Sequence, residues 1–215
     1  MIDTPLEIQR VPGILKRINI TPLPILKDLL EQSASRHTKL CPRQVLGVRM
    51  GLYGAHLLKM KVVSKQKKMY VIVEMNGCFA DGIEVATGCS VGGRTLHVEN
   101  LGKVAATFLN LQTGMALRVS VKDNVRWRAF DYVENPVDKY DAQLQGYKVM
   151  PYDTLFTIQQ VKPKQRIIDL MGEANKRVVC AQCGEEVMNG KEIEFDGQVL
   201  CKSCYGDSYY EEVYC

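Results

Sequence analysis

The sequence predicts an α+β core domain, in which helices pack on a mainly antiparallel sheet, followed by a small cysteine-rich domain. Apolar residues recur at helical spacing early in the chain, at Leu23, Leu26, Leu29 and Leu30. Segments that alternate apolar and polar residues are grouped later, between residues 94 and 121. Helices that come first and strands that are grouped together favour an α+β fold. Two Cys-x-x-Cys pairs near the end of the chain indicate the second domain.

Two helices are predicted in the first 60 residues. The first begins at Thr21-Pro22, because threonine can cap a helix and proline suits its first turn, and it extends to about Ser33 or Ser35. The second follows Cys41-Pro42 and continues to Lys59. This helix contains three glycines, each of which costs about 1 kcal/mol of helix propensity relative to alanine. They indicate that another backbone or a ligand approaches one face of the helix closely.

The rest of the core domain is predicted to contain strands and short helical segments. The predicted segments are a strand at 69–75, a helix at 81–87, and strands at 94–99, 103–110 and 115–121. The last two strands are joined by a glycine turn and should pair antiparallel. Between residues 124 and 148, Trp127 and Tyr132 are predicted to anchor a charged segment to the core. A helical turn and an edge strand are predicted over residues 151–161.

Changes in composition predict the domain boundaries. The segment from residue 162 to 177 is polar and basic, so we place a core domain at 1–162, a partly helical linker at 163–177 and a cysteine-rich domain at 178–215. The last domain carries two lysines against eight acidic residues. Its net charge is therefore −6, whereas the rest of the chain carries +10, which gives the total of +4. Such a charge asymmetry gives information about binding partners and not about the fold.

Composition limits the class of protein. The apolar fraction is 46% and the charged fraction 24%, as in ordinary globular proteins. No apolar run reaches the roughly 18 residues that a membrane span needs, and the first residues do not resemble a secretion signal. We therefore expect a cytoplasmic protein with no membrane association. Eight cysteines in such a chain favour metal binding or redox chemistry over disulfides.

The two cysteine pairs predict a structural zinc site. Cys180 and Cys183 are separated from Cys201 and Cys204 by the seventeen residues 184–200, which include a hairpin with an Asp-Gly turn. This spacing is typical of four-cysteine zinc ribbons, and disulfides or an iron–sulfur centre are the alternatives. A domain of this size has too small a core to fold unaided, so the metal would supply much of its folding free energy. Nucleic-acid binding through this acidic domain is not expected, since phosphate contacts need lysine and arginine.

The core domain resembles the formylmethanofuran dehydrogenase E-subunit (FmdE) family over roughly residues 20–160. The resemblance rests on Cys41-Pro42, a glycine–arginine helix segment at 47–51, the Cys78 to Cys89 segment, and the Gly-Lys-x-Ala sequence at 102–105. It implies an α+β core, a metal-capable cysteine–histidine site and a homodimer, and some members of the family also carry a C-terminal zinc finger. The family name further implies molybdenum or tungsten dehydrogenase subunits as candidate partners.

The resemblance implies a candidate metal or ligand site in the core, formed by His37, Cys41, Cys78 and Asp81. Lys39 stands where the family has a second histidine, so His37 and the two cysteines would be the main ligands of a second zinc or another transition metal, with Asp81 or water as the fourth. Free cysteines are also common buried apolar residues, and Asp81 could instead cap its helix. Two further residues are candidate supports, although Cys89 could be a core residue and Lys103 an exposed strand lysine.

Three functions are compatible with these features. The first is a metal-binding accessory or regulatory protein, a homodimer without its own catalysis. The second is an enzyme that uses the cysteine–histidine site or a metal-bound water. The third is a transcription-related or nucleic-acid-associated regulator that uses the basic core domain.

Overall fold

The computed structural model describes residues 23–62, 68–164 and 171–211, together with residue 213. The chain divides into two compact units, Met1–Lys162 and Pro163–Cys215, here called the body and the ribbon. Among the described residues, no helix combines the length and the apolar character that crossing a membrane requires.

The body combines helices with one five-stranded sheet, so the predicted α+β fold is confirmed. Its helices are α1 (Leu23–Ala34), α2 (Pro42–Leu57), α3 (Cys78–Thr87), α4 (Val125–Arg128), α5 (Lys139–Val149) and α6 (Tyr152–Leu155), with a 3-10 turn at Ala129–Tyr132. Its strands are β1 (Met69–Val73), β2 (Leu96–Val98), β3 (Ala105–Asn110), β4 (Ala116–Val121) and β5 (Phe156–Val161).

The strands are arranged in the order β2-β1-β3-β4-β5. Strands β3 and β4 pair antiparallel, with Phe108 opposite Leu117, as the glycine turn between them predicts. Strand β5 lies at the edge beside β4, also as predicted. Strand β2 instead pairs parallel to β1, with Val71 opposite Leu96. A parallel pair needs a crossover connection, and α3 lies in the chain segment between these two strands.

The glycines of α2 allow the backbone of α3 to approach it closely. A Cβ atom on Gly47 would lie 2.3 Å from the carbonyl oxygen of Phe79, and one on Gly82 of α3 would lie 2.6 Å from the carbonyl oxygen of Gln44. Farther along α2, a Cβ atom on Gly54 would lie 2.5 Å from the ring of Phe108 in β3. The thin face of α2 therefore packs against protein, at α3 and the sheet.

Two buried polar side chains fix the position of α2. Arg49 donates from Nη1 to the carbonyl oxygens of Tyr147 and Met150, both at 2.6 Å, so it joins α2 to the end of α5. Burial lowers the pKa of this guanidinium. Gln44 donates to the carbonyl oxygen of Ser33 at 2.7 Å and accepts from the backbone N–H of Cys41 at 2.8 Å. These bonds tie the first turn of α2 to the end of α1.

The prediction that Trp127 anchors its segment to the core is wrong, because this side chain is 63% exposed. Helix α4 is one turn long and buries Val125 against the core, while Ala129 is buried just beyond its end. Since residues four apart share a helix face, Trp127 between them points away from the core. Tyr132 does pack against the core, and Tyr147 is the deeply buried aromatic residue of this region.

The described part of the ribbon includes two small hairpins and a helical turn. The predicted hairpin between the cysteine pairs is present, and its turn has positive φ angles at Asp196 (48°) and Gly197 (74°), as a type I′ turn requires. The elements of the ribbon are β6 (Arg177–Val179), β7 (Glu186–Met188), β8 (Ile193–Phe195), β9 (Gln198–Leu200) and α7 (Lys202–Tyr205).

Three parts of the predicted organisation lie outside the described residues. They are residues 165–170 of the predicted linker, the predicted start of α1 at Thr21-Pro22, and residue Cys215.

The contact between α2 and α3 predicts the effect of a single methyl group. We expect Gly47→Ala to lower the free energy of unfolding by about 2 kcal/mol or more. The new Cβ would clash with the backbone carbonyl of Phe79, which cannot rotate away as a flexible side chain can. Gly92→Ala is the control, because a Cβ there meets nothing within 4 Å. Urea unfolding measures both. Equal unfolding midpoints for the two variants would contradict the close packing.

Candidate functional site

The structure brings the four cysteines of the ribbon together. The Sγ atoms of Cys180, Cys183, Cys201 and Cys204 all lie within 4.8 Å of one another, and those of Cys183 and Cys201 are 3.9 Å apart. A tetrahedral zinc ion with Zn–S bonds of about 2.3 Å places its sulfur ligands about 3.8 Å apart. Thiolates are also the ligands that structural zinc prefers. The residues therefore fit a four-cysteine zinc site.

Backbone N–H groups position the sulfur atoms of the ribbon. Gly184 follows the first pair with a φ of 75°, and its N–H donates to the carbonyl oxygen of Cys180 at 3.0 Å. The N–H of Cys201 donates to Sγ of Cys180 at 3.3 Å, and the N–H of Cys204 donates to Sγ of Cys201 at 3.4 Å. Backbone donors, chiefly that of Cys183, lower the pKa of Cys180 to about 6. These donors favour the thiolate form of Cys180, which is the form that binds zinc.

In the body, Cys41 and Cys78 face the same cavity. Cys41 directly precedes α2, and Cys78 is the first residue of α3, so the close packing of these helices places their N-termini side by side. Burial raises the pKa of Cys78, and the neighbouring thiol of Cys41 raises it further. Two thiols that are 37 positions apart in the sequence thus form an adjacent pair.

The other two predicted ligands form a separate pair. His37 Nε2 lies 2.7 Å from Asp81 Oδ2, and both side chains are about one-third exposed. Arg36 also contacts Asp81, at 3.9 Å, and binds Glu84. His37 is not among the residues that line the cavity.

The four candidate ligands of the body therefore do not form one coordination sphere. Within residues 23–62, 68–164 and 171–211, only the ribbon cysteines bring three or more ligand atoms into a cluster of metal-binding size. A zinc site needs at least three protein donors. Cys41 and Cys78 supply two, while His37 and Asp81 bind each other.

The two candidate support residues have different environments. Cys89 is 4% exposed, and its Sγ lies 3.6 Å from the carbonyl oxygen of Met69. Burial raises the pKa of this thiol, so Cys89 is a core residue. Lys103 is exposed and lines the cavity, and its backbone N–H donates to the carbonyl oxygen of Glu74 at 3.1 Å. It therefore lies where it can meet a ligand.

The cavity itself has a volume of about 1050 Å³ and a strongly basic lining. The sequence motifs that include Cys41, Cys78 and Lys103 mark part of this lining. No motif marks the other cations, because they come from segments that are far apart in the chain, and for them the positive net charge of the body is the one sequence signal. Besides the two cysteines, the charged lining residues are Arg43, Lys103, Arg118, Lys122, Arg126 and Lys139, with the carboxylate Asp123.

The environment of the thiols predicts their reactivity. We expect alkylation of Cys78 to have a midpoint pH above that of a free cysteine, because burial and the neighbouring thiol disfavour the thiolate and raise its pKa. The deprotonated, reactive fraction then increases only at higher pH. Cys89 is the internal control and should stay unmodified, since it is buried.

Peptide mapping after timed labelling with iodoacetamide measures both rates. A Cys78 midpoint at or below that of a free cysteine would contradict the adjacent-thiol arrangement. Absence of labelling at both Cys41 and Cys78 would show that the cavity is closed to solutes.

Comparison with known proteins agrees with both units. The family model described as FmdE, molybdenum formylmethanofuran dehydrogenase operon, matches residues 36–157, and the prokaryotic dksA/traR C4-type zinc finger matches residues 175–210. The second match, together with the cysteine cluster, supports zinc binding in the C-terminal region.

The similar proteins include one curated relative and one solved structure. A probable S-adenosyl-L-methionine-binding protein of Archaeoglobus fulgidus is 36% identical to this chain, and the match covers 87% of this chain and 55% of that protein. The chain thus spans about half the length of this relative. The crystal structure of a tungsten formylmethanofuran dehydrogenase FmdE-like protein from Syntrophus aciditrophicus has a TM-score of 0.53 and 20% identity, and covers 86% of this chain and 95% of that chain. This likeness shows the fold. Since the first family model matches more than half of the sequence, the chain belongs to the FmdE family.

Proposed function

We propose that the chain is a metal-binding accessory protein without its own catalysis, in which the ribbon holds a structural zinc and the body binds a ligand. The observation that carries this proposal is the cavity of about 1050 Å³ that Cys41 and Cys78 line together. Its size is that of a small-molecule site, and its sulfur atoms come from two helices that are packed closely against each other. The zinc-finger match supports the metal-binding part.

The arrangement favours binding over catalysis. A cysteine nucleophile is activated by an adjacent base or by a lowered pKa, and the pKa of Cys78 is raised. The histidine nearest in sequence to Cys41, His37, is bound to Asp81, and no histidine is among the described residues that line the cavity. A hydrolytic metal centre would need three protein ligands and an open position, and two thiols meet here.

A second metal ion, in the body, would be bound by Cys41 and Cys78 as its protein ligands. Two thiolates are an incomplete set for zinc, but they suit a soft ion that accepts low coordination. We therefore propose that zinc fills the ribbon, and that the body holds no zinc at comparable affinity.

Zinc content distinguishes the two units. We expect about one zinc per chain in the purified protein, a loss of that zinc in Cys180→Ser, and an unchanged content in Cys41→Ser, the matched control in the body. Elemental analysis after dialysis against a weak chelator measures all three. A second zinc per chain that disappears in Cys41→Ser would contradict the proposal and establish a metal centre in the body.

The partners are part of the same proposal. The family description names the molybdenum formylmethanofuran dehydrogenase operon, which supports an accessory role beside such an enzyme. Binding to the purified catalytic subunits of a formylmethanofuran dehydrogenase would test this role, and absence of binding at micromolar concentrations would count against it.

A homodimer is supported by exposed apolar side chains in the region of α4 and α5, among them Phe130, Val137 and Val149. Light scattering at the 24.2 kDa mass of one chain would contradict the dimer.

The relative from Archaeoglobus fulgidus suggests a second ligand, S-adenosyl-L-methionine. The lining of the cavity does not favour it, because a sulfonium cation would meet a wall in which cations outnumber carboxylates. We therefore do not extend that ligand to the cavity of this chain.

A further inference from the structure

We propose that the cavity binds a small polyanion that carries two or more phosphate or carboxylate groups. This inference rests on the proposed ligand-binding role of the cavity and names the chemical class of its ligand. Among the residues that the structure describes, six cationic ones line the cavity, against the single carboxylate of Asp123. A concave surface with charge of one sign concentrates the field inside it and attracts ligands of the opposite sign.

The cations converge from separate parts of the fold. Arg43 lies on α2, Lys103 precedes β3, Lys122 follows β4, Arg126 lies on α4 and Lys139 begins α5. A run of like charges along one element is usually a solvated face. Here the chain brings residues 43 to 139 around one concavity, close to the thiols of α2 and α3, so the fold itself creates the positive lining.

Most of this charge is not neutralised by the protein. Arg118 is the exception, because it forms a bidentate ion pair with Glu74 at 2.6 and 2.7 Å. Lys122 donates to the backbone carbonyl oxygen of Asp153 at 2.6 Å, and Lys139 lies 4.4 Å from the ring centroid of Trp127. Neither of these contacts brings a carboxylate to the lysine, so neither lysine is neutralised by an ion pair.

The remaining three cations have no carboxylate within ion-pair distance in the described part of the chain. These are Arg43, Lys103 and Arg126, and all three are exposed. Guanidinium and ammonium groups in such positions form charge-assisted hydrogen bonds with phosphate and carboxylate oxygens, and arginine can do so with two bonds at once. Several of these groups around one cavity suit a ligand with several anionic groups.

The size of the cavity favours an organic ligand over a single inorganic ion. Its volume of about 1050 Å³ lies just above the range for small-molecule sites, roughly 300 to 1,000 Å³. A nucleic acid is less suitable, because backbone recognition uses cations spread along an open face or a groove rather than around a pocket.

The single tryptophan of the chain provides a direct assay. Trp127 lines the cavity, so its fluorescence should respond to a ligand that binds there. We expect tripolyphosphate and citrate, as probes with phosphate and carboxylate groups, to change the emission in a saturable manner. The affinity should fall as ionic strength increases. Whichever probe binds more tightly identifies the anionic group that the site prefers.

Charge variants separate the cavity from the general charge of the body. Arg126→Gln and Lys103→Gln should each weaken probe binding about tenfold or more, since each removes a charge-assisted contact. Arg128→Gln is the matched control, because Arg128 lies on the same helix and is exposed but does not line the cavity. The affinity of the Arg128→Gln variant for each probe should remain within about twofold of that of the wild-type protein. Circular dichroism checks that the variants are folded.

Three results would overturn the inference: no saturable response to either probe, equal weakening by Arg128→Gln, or tighter binding of duplex DNA than of tripolyphosphate. Iodoacetamide labelling of Cys41 and Cys78 shows whether the polyanion inference alone is wrong or the proposed ligand-binding function is wrong as well. If both thiols react but neither anion binds, the polyanion inference alone is wrong. If neither thiol reacts, the proposed ligand cavity is wrong as well.

Discussion

The contact between α2 and α3 determines the chemistry of the body. Gly47 and Gly82 remove the side chains that would hold the helices apart, so that carbonyl oxygens of one helix lie where a Cβ atom of the other would be. Because α2 follows one cysteine directly and α3 begins at another, this contact also brings Cys41 and Cys78 together. The buried bonds of Gln44 and Arg49 then hold α2 against α1 and α5, and fix the position of the thiol pair.

The two units hold sulfur in different ways. In the ribbon, each cysteine pair lies within a single turn, so local backbone geometry directs the sulfur atoms and a metal ion can join the two turns. In the body, the thiols meet only because two helices pack together. A ribbon without its metal loses the main source of its stability, whereas the body has a large apolar core that includes Phe79 and Phe108. These differences are why we propose zinc for the ribbon and a ligand cavity for the body.

Local sequence patterns predicted much of this structure. The α+β class, the β3–β4 pair and the ribbon hairpin follow from periodicity and turn residues, and the helix glycines correctly indicated a close approach. The parallel β1–β2 pair and α5 were not predicted. Strand pairing over a crossover leaves little local signal, and α5 buries only Ala142, Gly146 and Tyr147, too few apolar residues for a helical pattern. Trp127 was misplaced because its apolar side chain suggested burial, although its position on α4 faces outward.

The candidate site, like the fold, could be predicted from the sequence only where neighbouring residues in the chain carry the signal. Spacing alone was sufficient to group the ribbon cysteines, but the grouping of His37 with the body thiols came from a resemblance. In this chain, His37 is paired with Asp81, which lies one turn after Cys78 on α3. The basic cavity could not be predicted from sequence, because its cations become neighbours only after the sheet and α5 have formed.

The adjacency of the two body thiols is the central claim, and a trivalent arsenical tests it directly. Phenylarsine oxide binds two thiols tightly only when they lie close enough to bridge, so the zinc-loaded protein should take up one equivalent. Peptide mapping should find that adduct across Cys41 and Cys78, and either Cys41→Ser or Cys78→Ser should abolish it. Failure to form a bridged adduct, while both thiols remain reactive toward iodoacetamide, would contradict the account.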